Sequence, residues 1–309
     1  MRVTVVGPGA MGCLFAAAFA RKKAAEVWLL DRNPKRAKRL SQSGLKVEGM
    51  GQTFTVKVNV TSKLKDIPGT DLIIMAVKAY DTESAVKKIE PLIGQDTNVL
   101  SLQNGIGNIE MIAEVAGIDK VLGGVTSTGS TLISEGFVRF AGKGETVIGK
   151  VGGSLTVPMR GIRELFNKSG FDTRLSKDIN GVIWSKLIIN VGINALSGIT
   201  RLCNGKLIES QGTREILSLV VTEAVKVAKK KRIKLIYDDP IQKAESVCRA
   251  TETNISSMLQ DILKKKMTEI DYINGAIVRQ GKSLGIATPA NVIMTDLIKS
   301  IESSYCQQV

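Results

Sequence analysis

Residues 2–31 read RVTVVGPGAMGCLFAAAFARKKAAEVWLLD. The opening run RVTVV, residues 2–6, has the length and β-branched content of a buried strand. Gly7-Pro8-Gly9-Ala10-Met11-Gly12 follows directly, and residues 13–22 then have the alanine-rich composition of a helix. A second apolar run, 27–30, ends at Asp31. The order is strand, turn, helix, strand, with G-x-G-x-x-G at the turn and an acid about 20 positions further on. Each glycine has its own task in such a turn. Gly7 permits the tight bend, Gly9 lets the backbone approach a pyrophosphate, and Gly12 lets the helix pack close to the strand. The helix start adds unbonded N–H groups and partial positive charge. Gly7, Pro8, Gly9, Ala10, Met11 and Gly12 are therefore the expected cofactor-binding turn. A glycine turn of some other α/β protein is the bland alternative, and the strand, helix and downstream acid around it count against that.

The alternation continues downstream. Residues 71–77 (DLIIMAV), 98–102 and 121–125 read as buried strands, and 82–92 has helical periodicity. The strand over 98–102 is closed by Gln103-Asn104-Gly105. Residues 45–58 alternate, with glycines at 49 and 51, which predicts a hairpin inserted between the strand–helix units. Residues 131–149 are similarly strand-like, 160–168 predict a helix, and 171–175 a last strand. From about Asp178 the pattern becomes helical, over 178–197, 209–231, 239–250, 254–283 and 290–304. The reading is an α/β chain with an N-terminal Rossmann-type doubly wound sheet, a dinucleotide-binding domain over 1–177. An all-helical substrate and catalytic domain follows over 178–309.

Composition narrows the function. The chain has 309 residues, enough for two domains, and 43% are hydrophobic, enough for two cores. No run of about 18 apolar residues stands out, so no membrane span is expected. No charged segment leads into an apolar one and a cleavage site at the start, so no signal peptide is expected. Cys13, Cys203, Cys248 and Cys306 are scattered without a CxxC pair. That usage suits a reduced, cytoplasmic protein without a disulfide scaffold or metal site. The net charge is +14. Its densest run, Lys229-Lys230-Lys231-Arg232, closes an apolar-periodic stretch, where cations suit the last turn of a helix. No aromatics interleave with it, so nucleic acid is not an expected partner. Anionic small substrates fit the charge, and a homodimer is compatible with the reading.

The chain has no histidine. Imidazole is thus excluded as acid, base or metal ligand. Reducing a ketone by hydride transfer requires a proton donor beside the developing alkoxide. None of Tyr80, Tyr237, Tyr272 or Tyr305 begins a YxxxK motif. A lysine remains: in a half-buried cleft its pKa falls, and its charge can stabilise the alkoxide. In Trp184–Asn194, WSKLIINVGIN, Lys186, Asn190 and Asn194 recur at i, i+4 and i+8. They form one polar stripe on an otherwise apolar helix, expected to face a polar cleft or interface. A second stripe, Asn254, Ser257, Asp261 and Glu269, spans about 120° of arc if 254–283 is one helix. For Asp261 an i, i+4 pair with Lys265 is the preferred reading. At the end of the second strand, Asp31 suits the ribose hydroxyls of NAD, whereas Arg32, Lys35 and Arg36 suit the 2′-phosphate of NADP. The two signals conflict.

GPGAMG, AVKAYDT around Lys78, LQNG around Asn104, WSKLIINVGIN, the long run NISSMLQDILKKKMTEIDYINGAIV and GKSLGIATPAN together resemble the ketopantoate reductase (2-dehydropantoate 2-reductase) family over nearly the whole chain. The resemblance implies reduction of 2-dehydropantoate to pantoate on the route to pantothenate. It implies a helical domain like the C-terminal domain of 6-phosphogluconate dehydrogenase. By position, Lys186 matches the general acid and Glu269 a catalytic carboxylate. Asn104, Asn190, Asn194, Asn204, Asn254 and Ser257 match substrate- or nicotinamide-binding positions. Lys78 matches a lysine at the cofactor–substrate junction, and Arg32 the arginine on the 2′-phosphate. NADP(H) is the expected cofactor, and Asp31 leaves NAD(H) open. A related reductase of another small 2-oxo acid and a catalytically silent dinucleotide sensor are the competing readings. The sensor needs no Lys186–Glu269 pair.

Overall fold

The computed structural model describes residues 1–49 and 51–307; Met50, in the expected 45–58 hairpin, lies outside the described residues. The chain divides into two compact units. One is Met1–Gln103 with Asn108–Ile179, the other Asn104–Gly107 with Asn180–Val309.

The first unit runs β1 (Arg2–Val6), α1 (Ala10–Arg21), β2 (Glu26–Leu30), α2 (Pro34–Ser43), β3 (Leu45–Glu48), β4 (Phe54–Val56), β5 (Asn59–Thr61) and β6 (Leu72–Met75). It continues with α3 (Thr82–Ile89), β7 (Asn98–Ser101), α4 (Asn108–Ala116), β8 (Val121–Thr126), β9 (Gly129–Ser134), β10 (Phe137–Gly142), β11 (Thr146–Lys150), α5 (Val157–Lys168) and β12 (Thr173–Ser176). The main sheet has eight strands in the order β12-β11-β8-β7-β6-β1-β2-β5. From β5 to β8 every pair is parallel. β11 runs antiparallel to β8, and β12 parallel to β11. The chain winds from β1 to one side through β2 and β5, then returns to the other through β6, β7 and β8. That reversal opens a crevice at the carboxyl ends of β1 and β6, where doubly wound sheets bind dinucleotides.

The expected 45–58 hairpin forms as the antiparallel pair β3–β4. Unforeseen from the sequence, β3 also pairs in parallel with β10, and β10 with β9, to make a second sheet in the order β4-β3-β10-β9. α1 packs against β1 and β2 of the main sheet and against β3, β4, β9 and β10 of the second. With strands on more than one side, α1 needs no polar face, and Gly12 through Phe19 are all buried. Phe15 and Phe19 meet Phe166 and Phe171 edge-on, with centroids 5.0–5.4 Å apart for the three closest pairs. Each such pair contributes about 0.5–1.5 kcal/mol beyond area burial. This cluster fixes the helix that carries the glycine turn.

The second unit is helical: α6 (Ile179–Thr200), α7 (Gln211–Lys230), α8 (Pro240–Ala250), α9 (Ser257–Leu263), α10 (Asn274–Ser283) and α11 (Pro289–Ser303). α6 is its central helix. Gly192 and Gly198 allow close approach, since a Cβ would stand 2.9 Å from Val221 Cγ2 of α7 at the first and 2.8 Å from Ile262 Cδ1 of α9 at the second. By length and composition α6 alone among the described residues is long and apolar enough to cross a membrane, with a mean hydropathy of 1.5, although Lys186, Asn190 and Asn194 interrupt its apolar run. Its most apolar window is 78% buried within the protein, which is the environment of a core helix. Glu223 of α7 accepts hydrogen bonds from the N–H groups of Ala290 and Asn291 at 2.9 and 3.0 Å. It thereby caps the start of α11, where a negative charge complements the helix dipole.

The single helix predicted over 254–283 is a correction. α9 ends at Leu263, because Lys264, Lys265 and Lys266 turn back on it: Lys264 and Lys266 both donate N–H to the Asp261 carbonyl, and Lys265 takes a left-handed φ of 51°. Lys265 Nζ donates to the Tyr305 carbonyl at 3.2 Å, in place of the expected pairing with Asp261. A 3-10 turn at Ile270–Tyr272 precedes α10. Asn254, Ser257 and Glu269 therefore do not share one helical face.

Candidate active site

The glycine turn has the geometry its spacing predicts. Gly7 has φ 102°, and a Cβ there would lie 2.8 Å from Val77 Cγ1 and 3.0 Å from Val77 N. A Cβ on Gly12 would run into the Gly7 carbonyl oxygen, so helix and strand touch through that hydrogen. At Gly9 the nearest atom to a Cβ is Ala76 O at 3.7 Å, so the backbone borders open space. α1 begins there with no side-chain cap and no acid in its first turn, which Ala10 and Met11 open. Pro8 precedes Gly9 with no N–H to satisfy. An uncapped, acid-free helix start behind a glycine turn fits a pyrophosphate.

At the end of β2 the sequence left two signals in conflict. Asp31 is fully buried, and both of its oxygens are taken. Arg36 donates through Nε to Oδ2 at 2.6 Å and through Nη2 to Oδ1 at 2.7 Å, and the Asn33 N–H donates to Oδ1 at 3.0 Å. Both Asp31 oxygens are thus engaged inside the unit, and the Arg36 guanidinium is engaged with Asp31. Arg32 points outward, its side chain 73% exposed, with Nη1 2.8 Å from Asp81 Oδ1. Asp81 closes the 3-10 turn Ala79–Asp81 that follows half-buried Lys78, and its N–H donates to the Lys78 carbonyl at 2.9 Å. The turn, Arg32 and Lys78 thus follow the carboxyl ends of three adjacent strands, β1, β2 and β6.

Three supporting residues escaped the sequence reading. Gln103 Nε2 donates to the Val77 carbonyl at 3.0 Å and to Thr82 Oγ1 at 2.7 Å, and Thr82 Oγ1 donates to Asn108 Oδ1 at 2.9 Å. They tie the Lys78 loop to the end of β7. The LQNG motif contained Gln103, but nothing in its spacing marked the bond.

In the second unit, Lys186, Asn104 and Glu269 form a chain. Lys186 Nζ donates to Asn104 Oδ1 at 3.1 Å, and Asn104 Nδ2 donates to Glu269 Oε2 at 3.3 Å. The amide is oriented by both neighbours at once: its oxygen faces the ammonium, its nitrogen the carboxylate. The backbone holds Asn104 there. The Ile106 N–H donates to the Tyr272 carbonyl at 3.1 Å, and Gly105 (φ 81°) passes so close to that carbonyl that a Cβ would overlap it. Glu269 is buried just before the 3-10 turn, behind Thr268, whose N–H donates to Glu302 of α11 at 2.7 Å. Burial pushes the Lys186 ammonium down to about 8, against the opposing pull of the Glu269 charge.

Asn190 lies one turn beyond Lys186 on α6, half-buried, and Asn194 another turn on, buried. Ser256 caps α9 and also donates to the Asn194 carbonyl at 3.5 Å. The Asn204 N–H donates to the Asn254 carbonyl at 2.9 Å, and Asn204 Nδ2 to Thr251 Oγ1 at 2.9 Å. Asn204 Oδ1 is buried with no hydrogen-bond partner among the described residues. Asn254 and Ser257 are exposed. The candidates thus fall into two groups linked by α6: Lys186 with Asn104 and Glu269, and about 12 Å along the helix Asn194, beside Ser256 at the start of α9. Broken as it is, the 254–269 segment still brings Glu269 to Asn104.

Residues 3–153 match the family described as Ketopantoate reductase PanE/ApbA, and residues 178–302 match its companion, Ketopantoate reductase PanE/ApbA C terminal. The chain belongs to the ketopantoate reductase family. It is 34% identical to the 2-dehydropantoate 2-reductase of Pyrococcus horikoshii over 98% of both chains, and 34% identical to that of Archaeoglobus fulgidus, again over 98% of both. Among solved structures it is similar to a PanE/ApbA family ketopantoate reductase from Ralstonia eutropha, at 32% identity and a TM-score of 0.90, covering 99% of this chain and 100% of that one. It is also similar to D-mandelate dehydrogenase in a ternary structure with NADH and anilino(oxo)acetate, at 29% identity and a TM-score of 0.92, covering 98% and 99%. Ketopantoate reductases are oxidoreductases, NAD(P)H-dependent and acting on a small keto acid.

Proposed function

We propose that this ketopantoate reductase reduces 2-dehydropantoate to pantoate with NADPH, on the route to pantothenate in the cytoplasm. The Lys186–Asn104–Glu269 chain carries the reading: an ammonium with its pKa lowered toward 8 can give up a proton at neutral pH, and a histidine-free protein needs such a donor. Residues 1–177 are assigned to the dinucleotide and 178–309 to substrate and catalysis. Gly7 to Gly12 cradle the pyrophosphate, Arg32 takes the 2′-phosphate, and Lys78 borders the cofactor–substrate junction. When bound, the nicotinamide supplies a hydride to the substrate's C2 carbonyl carbon. Lys186 protonates the carbonyl oxygen and, while charged, stabilises the developing alkoxide. Glu269 engages the substrate hydroxyl or orients Lys186 through Asn104. Asn190, Asn194, Asn204, Asn254 and Ser257 hold the carboxylate and hydroxyl groups.

The similarity to D-mandelate dehydrogenase supports a second reading, reduction of another 2-oxo acid with NADH. Parallel NADPH and NADH oxidation by the purified chain, with 2-dehydropantoate and a panel including benzoylformate, separates the two. The expected result is a kcat/KM for 2-dehydropantoate with NADPH at least about 10²-fold above every other pair. A preference for benzoylformate with NADH would transfer the assignment to the second reading, and no oxidation with any pair would overturn both.

A further inference from the structure

We propose that Arg36 sets the cofactor preference of this chain by holding Asp31 away from the adenosine ribose, so that the nucleotide meets the outward-facing Arg32, paired with Asp81, and not the Asp31 carboxylate. The inference rests on the NADPH reading above. An acid at the end of the second strand of such a domain ordinarily accepts hydrogen bonds from the ribose hydroxyls, and its charge repels a 2′-phosphate. Asp31 occupies that position, yet its carboxylate is committed elsewhere. Arg36 engages both oxygens in parallel, the geometry in which a guanidinium fork matches a carboxylate best. The Asn33 N–H adds a third donor, and no part of the Asp31 side chain reaches solvent.

Local structure holds the arginine to this task. Asn33 caps α2 by accepting the Arg36 N–H at 3.1 Å, which sets residue 36 one turn into the helix, where its side chain can fold back over the helix start. One turn on, Arg39 makes two 2.9 Å bonds to Glu135, tying α2 to the turn between β9 and β10 in the same unit. Lysine at 36 could not reproduce the two-point grip, because an ammonium is a point charge without the planar fork. The pair therefore turns an acid that marks NAD use into a neutral anchor, while Arg32 beside it stays outward-facing.

The pair could instead serve only to pin α2, and a double-mutant cycle distinguishes the two roles. Calorimetry would give the affinities of NADPH, NADH, 2′,5′-ADP and 5′-AMP for wild type, Asp31→Asn, Arg36→Met and the double variant. In Arg36→Met the unmasked carboxylate should lower the ratio Kd(NADH)/Kd(NADPH) by at least about tenfold, with 2′,5′-ADP weakened more than 5′-AMP. Adding Asp31→Asn should restore the ratio to within about threefold of wild type. An unchanged ratio in Arg36→Met, or a ratio the second substitution does not restore, overturns the masking role. If Arg36→Met does not fold, Asp31→Asn decides: NADH and 5′-AMP should bind within about twofold of wild type, and a loss of about tenfold or more would mean that Asp31 grips the ribose after all. A wild-type preference for NADH refutes the NADPH reading itself. A wild-type preference for NADPH whose size Arg36→Met leaves unchanged refutes only the masking.

Discussion

Replacing Lys186 by alanine is expected to lower kcat for keto-acid reduction by about 10³–10⁴-fold while NADPH affinity stays within about twofold of wild type. The size of the effect combines two losses. The proton donor to the carbonyl oxygen disappears, and so does the positive charge that the alkoxide develops against. The selectivity follows from position. Lys186 sits on α6 and bonds Asn104, whereas the glycine turn, Arg32 and Lys78 belong to β1, β2 and β6 and their loops. Steady-state turnover, paired with calorimetric NADPH binding, checks both halves. Turnover that survives the substitution would show that another group donates the proton.

The second large effect is expected at Glu269. Glu269→Gln keeps the size of the side chain and an oxygen that can still accept from Asn104 Nδ2, but deletes the negative charge. That charge raises the Lys186 pKa against burial. Its loss lets the ammonium pKa fall below its wild-type value of about 8, so that less of Lys186 is protonated at neutral pH and above. With the bond from Asn104 weakened to a neutral acceptor as well, kcat should fall by about 10²-fold. A purely structural role for Glu269 predicts a lower melting temperature with an unchanged pH profile. A role on the substrate hydroxyl adds a rise in KM for the keto acid with no change in NADPH affinity. Kinetics across pH, with a melting curve for the same variant, distinguish these outcomes.

Much of this fold was legible because its signals are local. RVTVV, the glycine turn and the alanine-rich helix make one continuous pattern, and the carboxyl-end positions of Asp31, Lys78 and Asn104 follow from strands that are short apolar runs. The two sheet insertions were visible, but their union through β3 and β10 was not, since a parallel pairing across some 90 residues leaves no mark in either segment. β5 was missed because three residues are too few to show alternation. Lys186, Asn190 and Asn194 do lie on one continuous helix, because the 22 residues of α6 keep their period throughout. The second stripe failed for the opposite reason: helical periodicity was assumed through Lys264, Lys265 and Lys266, where the backbone turns left-handed. At Asp31 the sequence held both halves of the answer, Asp31 and Arg36, but spacing alone could not show that one neutralises the other. That took the positions of the guanidinium nitrogens.

The pH dependence of kcat/KM for keto-acid reduction, measured on the unmodified enzyme with NADPH, tests the central assignment most directly. Lys186 must carry its proton to donate it, and burial holds its pKa near 8. The profile should therefore be level on the acid side of about 8 and fall by about tenfold per unit on the alkaline side, with the limb moved to lower pH in Glu269→Gln. A profile that stays level from about pH 7 to about pH 10, or a limb that Glu269→Gln leaves in place, would contradict it.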